Sequence, residues 1–264
     1  MRMMNFANRN FKEMLRDPIL CFMCAGFPLI MLIMFAVINH FTNNTMSVFQ
    51  LTSLIPGLMV FSFCFTMLMM CLLVSKDRSS AFLIRLYSSP MKSHDFVGGY
   101  VATGAIIGLL QEVVCIVGGW VLSLIISEDY FSFGRAVLLA IIMLPMLFMN
   151  VFAGILLGTA ANDKAAPGIS SIFISASGIL GGAWMPLDTM GGFEKFCRFL
   201  PFYPATYLGR IVTGANHSVT NYMTMAAEAY KFDDIAKWSV PTILIYLVLI
   251  IVLCLIAFQR KKKI

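Results

Sequence analysis

Charge is what this sequence has least of. Only 12% of its 264 residues are Asp, Glu, Lys or Arg, about half the share in soluble globular domains. Hydrophobic residues make up 59% and the mean hydropathy is +0.86. A soluble domain is excluded, because the apolar runs are too long and too many for a water-exposed fold. Histidine is nearly absent: His40, His94 and His217 are scattered, and no site is read from them. The 13 acidic residues form no cluster with metal or paired-carboxylate spacing, which disfavours a membrane enzyme acting on lipid. Asp233-Asp234 is an adjacent pair, but it lies in a loop. Gly-x-x-x-x-Gly-Lys-[Ser/Thr] does not occur, nor does any Gly-Lys pair, so this chain cannot cradle ATP phosphates in a phosphate loop. Internal repeats and multiple intramembrane charges, the marks of an ion-driven carrier, are also missing.

Cysteine is present but badly placed for bridges. Cys21, Cys24, Cys64, Cys71, Cys115 and Cys254 lie in apolar runs, and Cys197 alone lies in a loop, so no loop–loop disulfide within the chain is available. Cys21-x-x-Cys24 has zinc or redox spacing. Zinc takes four ligands and no second pair accompanies it, so both are read as packing residues and no metal is expected.

What the chain does have is hydrophobic length. Six segments stand out, at 19–41, 51–75, 97–126, 135–160, 168–184 and 239–258. The fifth is short for a crossing, so the residues after 184 must complete it. The start, MRMMNFANRNFKEMLRD, is polar and the first apolar run is long enough to span, so no cleaved signal peptide is expected. Of the 19 basic residues, 13 fall in the N-terminal stretch, the 76–96 loop, the 161–167 loop and the tail. The alternate short loops, 42–50 and 127–134, carry none. The excess of positive charge therefore predicts both termini in the cytoplasm. Trp120, Trp184 and Trp238 then fall toward the outer half, as an aromatic belt would.

Two polar stretches are patterned. At 3–16, Met4, Ala7, Phe11, Met14 and Leu15 recur at helical spacing, with Arg9, Lys12 and Arg16 opposite, and Asp17-Pro18 ends the helix. In the 76–96 loop, Phe82, Leu83, Leu86 and Tyr87 share one face of a short helix that Pro90 terminates, with Ser80, Arg85 and Ser88 or Ser89 on the other. Such a helix either rests on anionic lipid or docks a cytoplasmic partner.

Within the spans, Gln111, Glu112 and Asn150 are polar. Glu112 reads either as a cation or proton contact on a substrate path or as an interhelical hydrogen-bond lock. Gly104-x-x-x-Gly108 and Gly154-x-x-x-Gly158 permit close helix contact. The second span is rich in Phe and Met, and lipid-facing filler is the ordinary explanation.

Three stretches together resemble the membrane subunits of type-2 ABC exporters, the group with daunorubicin-type and other drug exporters and some polysaccharide exporters. NRNFKEMLRDPILCFMCAGFPLIMLIMF resembles that family's interface helix running into a proline-containing first span. KDRSSAFLIRLYSSPMKSHDFVGGY resembles its second–third loop, although Asp77, Ser80 and Ala81 stand where many members have an acidic residue and a glycine. GGAWMPLDTMGGFEKFCRFLPFYPATYLGRIVTG resembles its outer re-entrant segment. The resemblance implies one all-α, six-helix permease over 1–264, with an interface helix at 3–16, a coupling helix in the 76–96 loop and an outer re-entrant segment that Trp184 introduces, its helices within 185–238 carrying Pro186, Pro201 and Pro204.

It further implies that Phe11, Leu15, Arg16, Phe82, Leu83, Arg85, Leu86, Ser89 and Pro90 contact an ATPase. Phe61, Phe65, Met69, Glu112, Ser171 and Ser175 would line the substrate path. The implied partners are ABC ATPase subunits, a second permease (identical or paralogous) and the lipid bilayer, with no nucleic acid. ATP and Mg belong on the ATPase, and this chain holds no cofactor. The implied location is the plasma membrane of a bacterial cell, and the implied cargo a hydrophobic or amphipathic compound. Export of a lipid-linked glycan is the alternative, weakly disfavoured by the aliphatic and Met-rich second span.

Overall fold

The computed structural model describes residues 2–42, 47–79, 93–127, 130–220 and 227–261. Helix α1 (Arg2–Leu15) lies before α2 (Pro18–Phe41), then α3 (Leu51–Ser79), α4 (Ser93–Ile126), α5 (Phe133–Ala160), α6 (Ala166–Leu180), α7 (Gly192–Cys197) and α8 (Phe202–Thr213). A two-stranded antiparallel ladder, β1 (Asn216–Thr220) and β2 (Ala227–Ala229), precedes α9 (Asp234–Lys261). The ladder is a small addition to an otherwise helical chain, and the polytopic all-α class stands. Five helices, α2, α3, α4, α5 and α9, are long and apolar enough to cross a membrane. The shorter α6 has 15 residues, about 22 Å of helix, against roughly 30 Å of hydrocarbon.

Local sequence sets the breaks. Asp17 caps α2, its carboxylate accepting from the Ile19 and Leu20 amides at 3.1 and 3.2 Å, and Pro18 occupies the first turn, where a missing N–H costs nothing. Just inside α2, Phe22–Gly26 forms a π turn, which frees backbone groups from the regular ladder. The Gln111 side chain fills that gap, its Nε2 donating to the Cys24 carbonyl at 3.0 Å, while its Oε1 accepts from Thr66. Gly214, at φ 75°, closes α8 in the left-handed conformation that glycine adopts freely.

α3 is the hub. In its most apolar stretch 89% of residues are buried by the rest of the chain, against 11–44% for the other four long helices. It packs on α5, α6, α4 and α8. This overturns lipid-facing filler as the account of its Phe and Met residues. Phe61 meets Phe27 of α2 and the Trp184 ring, at centroid distances of 6.2 and 4.7 Å. Trp184 also stacks on Phe35 at 5.9 Å, so it is a wedge between helices rather than a belt residue. Trp120 and Trp238 are exposed.

The Gly154-x-x-x-Gly158 ridge lets α5 lie against the α3 backbone. A Cβ at Gly158 would stand 2.7 Å from the Cys71 carbonyl oxygen, so only glycine allows this approach. Gly104 and Gly108 admit Val151 and Leu147 of α5 in the same way.

Three boundaries differ from expectation. α3 continues through Ser79 and α4 begins at Ser93, so both ends of the 76–96 loop are helical. α6 stops at Leu180, where Gly181 and Gly182 turn the chain, so 181–184 is not part of the fifth helix. On α1 the buried face is Phe6, Ala7, Asn10 and Met14, while Met4 and Leu15 are exposed.

Candidate functional site

The end of the bundle that carries α1 gathers charges otherwise scarce in this chain. Asp77, in the last turn of α3, is 2% exposed. It accepts from Tyr100 Oη of α4 at 2.7 Å and from both terminal nitrogens of Arg9 in α1, at 3.2 and 3.0 Å. Arg9 also bonds Glu13 one turn on, at 2.7 Å, and Glu13 accepts from Lys76 at 2.9 Å. Burial alone would lower the pKa of Arg9, but the Asp77 and Glu13 carboxylates outweigh it and raise it. Arg9 therefore keeps its charge within the clasp.

Packing explains why α1 lies there. Phe6 meets Phe96 and Tyr100 edge-on, at 5.7 and 5.0 Å between centroids. A Cβ at Gly98 or Gly99 of α4 would collide with Met3 or Phe6, so the glycine pair is what allows the close crossing. Thr103 Oγ1 adds a bond to the Ala7 carbonyl at 3.2 Å. On the far side of α3, Arg78 donates to the Gly158 and Thr159 carbonyls at the end of α5, a helix terminus that favours positive charge. Ser75 reaches Asp163 beyond α5 at 3.4 Å. The two helix ends that bracket residues 80–92 are thus tied to α1 and α5.

Of the expected partner-contact residues, Phe11 is half-buried while Leu15 and Arg16 are exposed on α1. Phe82, Leu83, Arg85, Leu86, Ser89 and Pro90 lie outside the described residues. The expected path residues are not all brought together. Phe61, Phe65, Met69 and Glu112 are buried inside the bundle, whereas Ser171 and Ser175 are exposed on α6. Glu112 Oε1 has no hydrogen-bond partner among the described residues.

The opposite end holds a second polar assembly. α8 packs among α3, α5 and α9. Its Arg210 is fully buried, donating to the Ser53 and Gly182 carbonyls at 3.3 and 2.7 Å and to Tyr230 Oη at 3.4 Å. Asp188 Oδ2 accepts from Tyr230 at 3.3 Å and lies 3.3 Å from His217 Nδ1. Burial pushes the Tyr230 phenol up to about 12, so it remains a donor to Asp188. Pro201 and Pro204 frame the start of α8, and Pro186 precedes the 3₁₀ turn Leu187–Thr189.

Sequence reasoning placed Arg9 on the charged face of α1 but gave Asp77 no partner, and it read nothing from His217 or Arg210. A signal for Asp77 existed: an acid one turn from the end of an apolar span is costly unless a cation meets it.

Residues 3–213 match the family model described as ABC-2 type transporter. No curated protein matches the chain.

Proposed function

This chain belongs to the ABC-2 type transporter family and is its membrane component; on that basis we propose that it is the permease half of an exporter driven by separate ATPase subunits. The observation that carries the reading is the clasp at Asp77. It joins α1 to the helix ends on either side of residues 80–92, so a push on that segment or on α1 is transmitted to α3 and α4 as one body. We place this end in the cytoplasm, as the thirteen basic residues direct, in a bacterial plasma membrane. ATP and Mg bind the partner, which meets Phe11, Leu15, Arg16 and, from the loop, Phe82, Leu83, Arg85, Leu86, Ser89 and Pro90.

The cargo is a hydrophobic or amphipathic compound, as in multidrug export, and a second permease completes the pathway. Ser171 and Ser175, polar and exposed on an apolar helix, suit a face turned to that second copy or to the path rather than to lipid. Phe61, Phe65, Met69 and Glu112 join the path when α2 swings away, since Phe27 of α2 covers Phe61 and Phe65 at centroid distances of 6.2 and 5.3 Å. On the outer side, the segment from Gly181 through α8 completes the short fifth crossing begun by α6, as a re-entrant unit.

The test is purification of tagged chain in mild detergent. The reading expects a co-purifying polypeptide with a phosphate loop, ATP turnover by the complex, and none by the isolated chain. ATP turnover by the isolated chain, free of other polypeptides, would contradict it.

A further inference from the structure

A crevice of about 280 Å³ opens beside α1, between the start of α2 and the last turns of α3. Its inner wall is apolar, formed by Met14, Leu20, Met69, Leu72 and Leu73, with exposed Ile19 at the rim. Its mouth is charged: Glu13, Asp17, Lys76 and Asp163. Glu13, Asp17 and Lys76 also line an adjoining polar depression that contains Lys12, so the two are continuous. Glu13 and Lys76 bond each other. The other charges are unmatched. Asp17 accepts only backbone amides, and Asp163 accepts only from Ser75. Among the described residues neither has an ion-pair partner, and the Lys12 side chain has no partner either.

We propose that this crevice binds an aminophospholipid of the adjoining leaflet, with a stretch of acyl chain on the apolar wall, the phosphate on Lys12 and on the N–H donors of Lys76 that Glu13 does not use, and the ammonium on Asp17 and Asp163. The charge pattern selects the occupant. An anionic phospholipid satisfies the lysines and leaves two carboxylates facing each other's charge. A lipophilic cation does the reverse. A zwitterion with a tail satisfies both signs and the wall. A primary ammonium also brings three N–H donors to the carboxylates, and a choline headgroup brings none. The volume is at the small end of ligand pockets, room for part of one chain, and exposed Ile19 leads the rest out along α2. This site is independent of which compound is exported, and Arg16, Phe11 and Leu15 remain with the ATPase.

Native mass spectrometry of the full chain in detergent tests it, with palmitoyl-oleoyl phosphatidylethanolamine, phosphatidylglycerol and phosphatidylcholine added at equal concentration. Phosphatidylethanolamine should be retained about tenfold better than either other lipid, the worth of a charge-assisted hydrogen bond. Asp17→Asn with Asp163→Asn should reduce that preference to parity; Asn caps α2 as well as Asp does, and unchanged elution and helicity confirm the fold. Lys12→Gln should weaken retention of all three phosphates. Equal retention of the three lipids, preference for phosphatidylglycerol, or a phosphatidylethanolamine preference that survives the double substitution overturns the proposal.

Discussion

Arg9 and Asp77, 68 residues apart, form a two-pronged ion pair: Nη1 lies 3.2 Å from Oδ2 and Nη2 3.0 Å from Oδ1. The fork geometry fixes the angle of α1 against α3 as well as its distance. Tyr100 closes the third side of the same carboxylate, so one acid holds three helices at one end of the bundle.

Arg9→Ala removes the cation and leaves Asp77 nearly buried, with the Tyr100 hydroxyl still bonded to it. Because Arg9 is itself about a third exposed, the loss should be about 2 kcal/mol, the low end for a broken charge pair. Hydrogen exchange over residues 3–15 should quicken by roughly thirtyfold, with the spans unaffected. Unchanged exchange in α1 would show that Phe6 and the glycine crossing hold the helix without the clasp.

Gly158→Leu should damage the bundle far more than its position near a helix end would imply. The new side chain meets the α3 backbone at Cys71 rather than a movable side chain, so the cost should exceed the 1–3 kcal/mol typical of overpacking. Gly168, with open space around it, accepts alanine. Thermal stability in detergent should fall sharply for the first variant and remain level for the second. Equal melting of both would remove the glycine ridge from the account.

Arg210→Leu strips donors from the Ser53 and Gly182 carbonyls and leaves them buried. About 3 kcal/mol should be lost, and Arg210→Lys should not restore it, because one ammonium cannot reproduce a planar fork that reaches two carbonyls and a phenol. Melting curves of the three proteins decide this; a lysine variant as stable as the original would reduce Arg210 to a simple charge.

Orientation is open to direct labelling. Ser47→Cys should react with an impermeant thiol reagent added outside the cell, and Ser93→Cys should not, if the proposed orientation keeps the basic loops inside. The opposite pattern reverses the topology.

Hydropathy made the long helices legible, because 18 or more apolar residues in a row have few other uses. Asp17-Pro18 marked the α1–α2 break, because its capping chemistry is local. The buried face of α1 was not legible: spacing gives a period, but with Met4, Phe6 and Leu15 all apolar it does not give the phase. The central position of α3 was hidden for a different reason. Lipid and protein interior are equally apolar, so hydropathy cannot tell a hub from a peripheral helix. The Asp77 clasp joins residues far apart in the chain, and pairing across 68 positions leaves no periodic trace. The β1–β2 ladder lies in a polar stretch with no alternation to reveal it.

The central claim is that this permease is driven through the segment between α3 and α4, and one paired experiment bears on it most directly. Leu86→Asp and Arg85→Ala are expressed in cells that carry the export system, and ATPase co-purification and export are measured beside membrane insertion. If the segment docks in the ATPase, Leu86→Asp buries an unpaired charge there at a cost of several kcal/mol. Arg85→Ala leaves its partner charge unmatched, a loss of about 2 kcal/mol. Insertion should be normal in both, ATPase association and export should be lost in the first, and both should be weakened in the second. Full ATPase association and full export by both variants would contradict the account.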